Sequence, residues 1–146
     1  MEIFTIGFTK TSAREFFAKL KSAGIRRVVD VRLNNKSQLA GFAKQEDLRF
    51  FLEMAGGLDY VHEPLLAPTQ DLLDDYRKKR IGWDEYEKRF IGLIEERHIE
   101  NLGREFFNGP SVLLCSEDIA DRCHRRLVVE YLRDRWAESA IKIVHL

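Results

Sequence analysis

Five short apolar runs rich in β-favouring residues, separated by stretches of helical periodicity, constrain this chain more than any other feature of its sequence. They cover residues 3–6, 27–31, 58–62, 112–115 and 141–146. Between the first two, Ser12-Ala13-Arg14-Glu15 has the spacing of a capping box, in which the serine and glutamate side chains each take an orphan backbone N–H. Phe16, Phe17, Leu20 and Ala23 then recur at helical spacing, and Gly24 fits the stop. Residues 33–45 read as a loop. Leu48, Phe51, Leu52 and Ala55 mark a second helix, closed by Gly56-Gly57. Further helices are predicted at about 70–79, at 83–97 with Trp83, Tyr86, Phe90, Leu93 and Ile94 on one stripe, and at 119–135. Strands that alternate with helices and lack a wet face specify βαβ units. The expected fold is therefore α/β, with three layers: a mostly parallel sheet of about five strands with helices on both faces.

The chain has 146 residues, no internal repeat and no linker-like composition, so one domain over residues 1–146 is expected. Lysine plus arginine and aspartate plus glutamate each number 24, which argues against a polyanion binder that relies on overall basicity. No apolar run approaches the roughly 18 residues of a membrane span. The N-terminus does not read as a secretory signal. Two cysteines exclude a disulfide framework and suit a reducing compartment. A cytoplasmic monomer or small homo-oligomer is the expectation. Arg77-Lys78-Lys79-Arg80, with Asp74 and Asp75 four residues before the lysines, reads as a solvated helix face. The aromatic residues read mostly as core.

In open parallel sheets, ligands bind beyond the carboxyl ends of the strands. Those ends here are Gly7-Phe8-Thr9, Asp30-Val31-Arg32, His62-Glu63 and Cys115-Ser116-Glu117. Asp30 and Arg32, one residue apart, point to one face. They either close the strand end as an ion pair or serve a ligand, with Arg32 holding an anion and Asp30 acting as base or orienting group. Arg32 and Arg125 together would fork a phosphate or carboxylate. Glu117 and His124 are the acid/base candidates. Gly7 would admit close backbone approach, Thr9 would donate a hydrogen bond, and Cys115 would line the substrate site. The competing account is an ion-pair network of Asp30, Arg32, Glu117 and Arg125 that clamps helix to sheet.

The last predicted helix carries Ile119, Cys123, Leu127 and Tyr131 at steps of four. That places Cys123 on a buried stripe and turns His124 about 100° away from it. Ser116 or Asp118 would cap this helix, with Glu117, Asp118 and Asp121 near its positive end. Neither cysteine belongs to a C-x2-C pair, and Cys123 and His124 should diverge on the helix, so no metal site is expected. No cofactor is expected either. Cys115 and Arg122 enclose six residues, among them Glu117, Asp118 and Asp121. Cysteine phosphatases have five residues there, in a loop whose N–H groups hold phosphate, so that chemistry is rejected.

Thr5-Ile6-Gly7, Val29-Asp30-Val31-Arg32, Leu113-Leu114-Cys115-Ser116-Glu117 and Cys123-His124-Arg125 together resemble the signature of the DUF488 family, a domain of unknown function with an α/β fold. The resemblance runs the full length, and the segment from Leu66 through Trp83 to Glu87 is similar to the compact single-domain members. Two departures stand out. Members usually carry a histidine where this chain has Phe8, and a proline soon after Arg32, where this chain has Leu33-Asn34-Asn35. The family implies no reaction. From the residues, the leading expectation is a small enzyme acting on a phosphate-bearing or nucleotide-like substrate, with a nucleic acid component as one such ligand. The alternative is a non-catalytic module that binds a nucleotide or docks a protein.

Overall fold

The computed structural model describes residues 1–36, 41–107, 109–137 and 140–146. The predicted loop at 33–45 falls partly outside these residues. Its described end forms a single 3-10 turn at Gly41–Ala43. Five strands, β1 (Glu2–Gly7), β2 (Arg27–Asp30), β3 (Asp59–His62), β4 (Ser111–Cys115) and β5 (Lys142–His145), make one sheet in the order β3-β2-β4-β1-β5. Every pairing is parallel. Five α-helices connect or cover them: α1 (Ala13–Ser22), α2 (Gln45–Met54), α3 (Gln70–Arg77), α4 (Trp83–Glu96) and α5 (His124–Arg135).

The strands alternate between two cores. Ile3, Val29, Val31, Leu113 and Cys115 join Tyr86, Phe90, Ile94, Leu127, Val128 and Leu132 on the α4–α5 side. Phe4, Ile6, Val28, Val112 and Leu114 pack against Phe16, Leu20, Leu48 and Leu52 of α1 and α2. Burial on both faces is why these strands read as continuous apolar runs. Ser12 caps α1 by accepting the Glu15 N–H at 3.1 Å. The other half of the predicted capping box is not made, because the Glu15 carboxylate accepts the Thr11 hydroxyl at 3.2 Å instead.

The largest correction concerns α5. Its predicted start at 119 is wrong: the helix begins at His124, with Cys123 extended at its N-cap. Ile119, placed by periodicity on a buried stripe, is 63% exposed. Neither Ser116 nor Asp118 caps the helix, and Glu117, Asp118 and Asp121 lie in the preceding loop. The backbone carbonyls of that loop are engaged elsewhere. Ser116 O accepts both the Thr9 N–H at 3.1 Å and the Thr9 hydroxyl at 2.7 Å. Glu117 O and Asp118 O accept the Arg125 guanidinium.

Connections set the site. The helices that follow β1 and β2 pack on one face, whereas the helix that follows β4 packs on the other. The carboxyl end of β4 therefore lies at a switch point with respect to both neighbours, where an α/β sheet opens a crevice. Register pairs Gly7 with Cys115, and Asp30 with Leu114 and His62, which aligns these strand ends along one edge.

Candidate active site

A cleft of about 280 Å³ opens at this edge. Arg32, Cys115, Glu117, Arg122, Cys123 and His124 form its sheet side. Tyr76 and Arg77 of α3, with Trp83 and Tyr86 of α4, form the opposite wall. The aromatic side chains are mutually stacked or tilted, with Trp83 and Tyr86 ring centres 5.3 Å apart and Tyr76 and Tyr86 4.8 Å apart. Burial, followed by the charges of Cys115 and Cys123, pushes the Tyr86 phenol above its ordinary range, so its O–H remains a donor.

Asp30 and Arg32 form one unit. Both are buried, and the guanidinium donates from Nε to Asp30 Oδ1 at 2.9 Å and from Nη2 to Oδ2 at 2.8 Å. Asp30 also accepts the Arg32 N–H, the Asn35 amide and the Tyr60 hydroxyl. Burial raises the Asp30 pKa, but the Arg32 and Tyr60 contacts outweigh it and hold the carboxyl below 3.8. Five donors thus fall on its two oxygens, and the bidentate pair fixes the Arg32 guanidinium. Phe8 lies under the guanidinium at 5.1 Å, and the remaining nitrogen, Nη1, is buried with no hydrogen-bond partner among the described residues.

Arg125 is organised differently. It is 1% exposed and absent from the cleft lining. Its guanidinium donates to the carbonyls of Glu117 and Asp118 and, from Nε, to Thr5 Oγ1 at 3.3 Å. The predicted Arg32–Arg125 fork is thus not what these contacts form, because Arg125 is committed to the loop. Gly7 meets that loop too: a Cβ there would lie 1.6 Å from Glu117 O. The close approach seen at Gly7 is by this backbone. Thr9 likewise gives its hydroxyl to Ser116 O. The Glu117 side chain is exposed at the cleft.

Because α5 starts late, Cys123 and His124 do not diverge. Cys115 Sγ, Cys123 Sγ and a His124 ring nitrogen lie within 4.8 Å of one another. His124 Nε2 is 2.7 Å from the Val31 carbonyl and donates to it, which turns Nδ1 to Cys115 Sγ at 3.7 Å. Phe90 packs edge-on against the imidazole. The Cys123 thiol hydrogen bond holds Cys115 well below the ordinary thiol range against the effect of burial, and His124 and Arg125 add to the lowering. Burial pushes His124 down, but Cys115 more than offsets it and raises the imidazole pKa. A neighbouring imidazole and guanidinium favour the thiolate form of a cysteine.

The cleft's α3–α4 wall was missed from sequence. Tyr76, Trp83 and Tyr86 sit at core spacing, and Arg77 belongs to a run that reads as a solvated face. Only the adjacency of aromatic and basic residues at 76–77 offered a signal.

An all-parallel, three-layer α/β domain with a thiol–imidazole pair at its carboxyl edge defines the structural class. The model of the family described as domain of unknown function DUF488 matches residues 12–132, and the chain belongs to that family. No curated protein and no solved structure matches it. No helix among the described residues is long and apolar enough to cross a membrane.

Proposed function

We propose that the protein is a small enzyme that acts on a phosphate-bearing or nucleotide-like molecule in the cleft at the carboxyl edge of the sheet. The observation that carries this reading is Arg32 Nη1, buried without a partner among the described residues, in a side chain that lines the cleft. A buried guanidinium N–H left unpaired costs free energy, and an anionic ligand oxygen would satisfy it with a charge-assisted bond. Arg77 and Arg122 add exposed positive charge at the rim, and the half-buried rings of Tyr76 and Trp83 offer apolar surface for a base. Glu117 would move a proton at the cleft, while His124 acts through Cys115 and Asp30 orients Arg32. The thiols suit a reducing, cytoplasmic setting, and one domain spans 1–146.

The test is a thermal-shift and calorimetric screen of inorganic phosphate, nucleoside monophosphates and their parent nucleosides. Phosphate-dependent stabilisation of the wild type, lost in Arg32→Lys, is expected. Equal binding of nucleoside and nucleotide, or no shift with either, would overturn the reading. One observation favours a second reading, a non-catalytic module for the same ligands. Phe8 gives Arg32 a ring face where the family usually has a histidine. Turnover of a bound ligand separates the two.

A further inference from the structure

We propose that Cys115 Sγ, Cys123 Sγ and His124 Nδ1 form a three-ligand site for a zinc-class divalent ion, with its fourth coordination position facing the cleft. This goes beyond the phosphate reading and does not depend on it.

The argument is geometric. Tetrahedral zinc with sulfur at about 2.3 Å and nitrogen at about 2.0–2.1 Å places those two ligand atoms about 3.6 Å apart. The His124 Nδ1–Cys115 Sγ separation is 3.7 Å, and Cys123 Sγ lies within 4.8 Å of Cys115 Sγ and of a His124 ring nitrogen. The imidazole is already set in the orientation that a ligand needs. Its Nε2–H is given to the Val31 carbonyl, so Nδ1 is the nitrogen left to bind, which is the usual outer-shell arrangement for a metal-bound histidine. Cys123 Sγ has its own outer-shell donor in Arg125 Nη1 at 3.7 Å. All three side chains are buried, yet all three line the cleft. A closed structural site would take a fourth protein ligand. Three protein ligands and a cleft-facing gap match the open pattern, in which the ion binds a water or a substrate oxygen and acts as a Lewis acid.

Softness of the donors favours zinc over magnesium or calcium, which take oxygen. Divergence of Cys123 and His124 along one helix, one of the two reasons for expecting no metal, does not apply to an extended Cys123 that precedes the first helical residue.

The test uses the full chain, reduced, freed of metal with a chelator, and titrated with Co²⁺ as a spectroscopic probe. One Co²⁺ per chain should bind, with thiolate-to-cobalt charge-transfer absorption and the intense visible bands of tetrahedral coordination. One equivalent of Zn²⁺ should bleach both. Cys123→Ser and His124→Ala should each weaken Co²⁺ binding at least tenfold. Should either variant fail to fold, the wild type still decides: Zn²⁺ should slow the reaction of both thiols with a disulfide reagent at least tenfold. A weak, octahedral cobalt spectrum with both thiols reacting as freely as before would overturn the site. So would full Co²⁺ affinity in a folded Cys123→Ser. Phosphate stabilisation of the metal-free chain tests the proposed function separately, so either reading can fail while the other stands.

Discussion

Two buried arginines stand at adjacent strand ends and are neutralised in opposite ways. Arg32, beyond β2, has a carboxylate partner that is itself held by five donors. Arg125, at the start of α5, has no carboxylate partner among the described residues and is wrapped by carbonyls and a thiol instead. The first arrangement fixes a guanidinium rigidly and leaves one nitrogen, Nη1, over. The second uses a cation to shape a loop, and leaves positive potential beside Cys115 and Cys123. One end leaves a donor unpaired, whereas the other lowers the pKa of the Cys115 thiol.

Removing the carboxylate is the severest way to break this contrast. Asp30→Ala leaves Arg32 buried without its counter-charge, and loss of one partner of such a pair costs about 3–5 kcal/mol. Chemical denaturation should show that loss, and ligand-free stability should fall far more than in any rim variant. A cost below about 1 kcal/mol would mean that Arg32 re-solvates on its own.

Next comes Arg125→Met, which keeps bulk but strands the carbonyls of Glu117 and Asp118. Both bonds are part-buried, so each loss should cost at most about 1–3 kcal/mol. The same variant should slow the reaction of Cys115 with a thiol reagent at neutral pH, because the positive charge that favours its thiolate is gone. Unchanged thiol reactivity would show that the carbonyl wrapping, rather than the charge, is what matters there.

Acid titration sharpens the comparison at lower cost. The folded pKa of Asp30 lies below its ordinary 3.8. A depressed carboxyl stabilises the fold above the unfolded value, and that contribution fades as pH falls through the folded one. Wild-type stability should therefore drop below about pH 4, through whatever part Asp30 contributes. Asp30→Ala should flatten that leg, and a parallel acid limb in the variant would assign it to other carboxylates.

The smallest effect belongs to the rim. Asp75 accepts from Arg80 at 3.0 Å and Arg89 at 3.3 Å, both partly exposed. Asp75→Asn should change stability by about 0.2–1 kcal/mol and lose even that in high salt. A larger change would mean that α3 and α4 are held against the cleft by charge rather than by their aromatic packing.

What was legible in the sequence follows the reach of its signals. Strands and most helix ends are local, so Val28-Val29, Val112-Leu113-Leu114 and Ser12 announced themselves. Asp30 and Arg32 were legible as a pair because two residues along a strand share a face. The loop at 116–123 was not legible. Ile119, Cys123, Leu127 and Tyr131 keep a helical period, and nothing local reveals that Arg125 will claim the carbonyls of 117 and 118. Nor does spacing show that Cys115 and His124, nine positions apart, will meet. The cleft wall depended on where α3 and α4 come to rest over the sheet edge. That is a matter of packing between segments, and a core-like stripe conceals it.

The contact at Gly7 has a consequence for how the cleft can admit a molecule. The backbone of 117 lies where any side chain at position 7 would be, and Thr9 stitches the neighbouring carbonyl twice. Those bonds tie the exits of β1 and β4 into one piece, like two boards nailed across a seam. The loop that follows Cys115 and carries Glu117 is in that sense a doorpost. The opposite jamb, where Tyr76 and Trp83 stand on α3 and α4, is joined by ring-on-ring contact between the two.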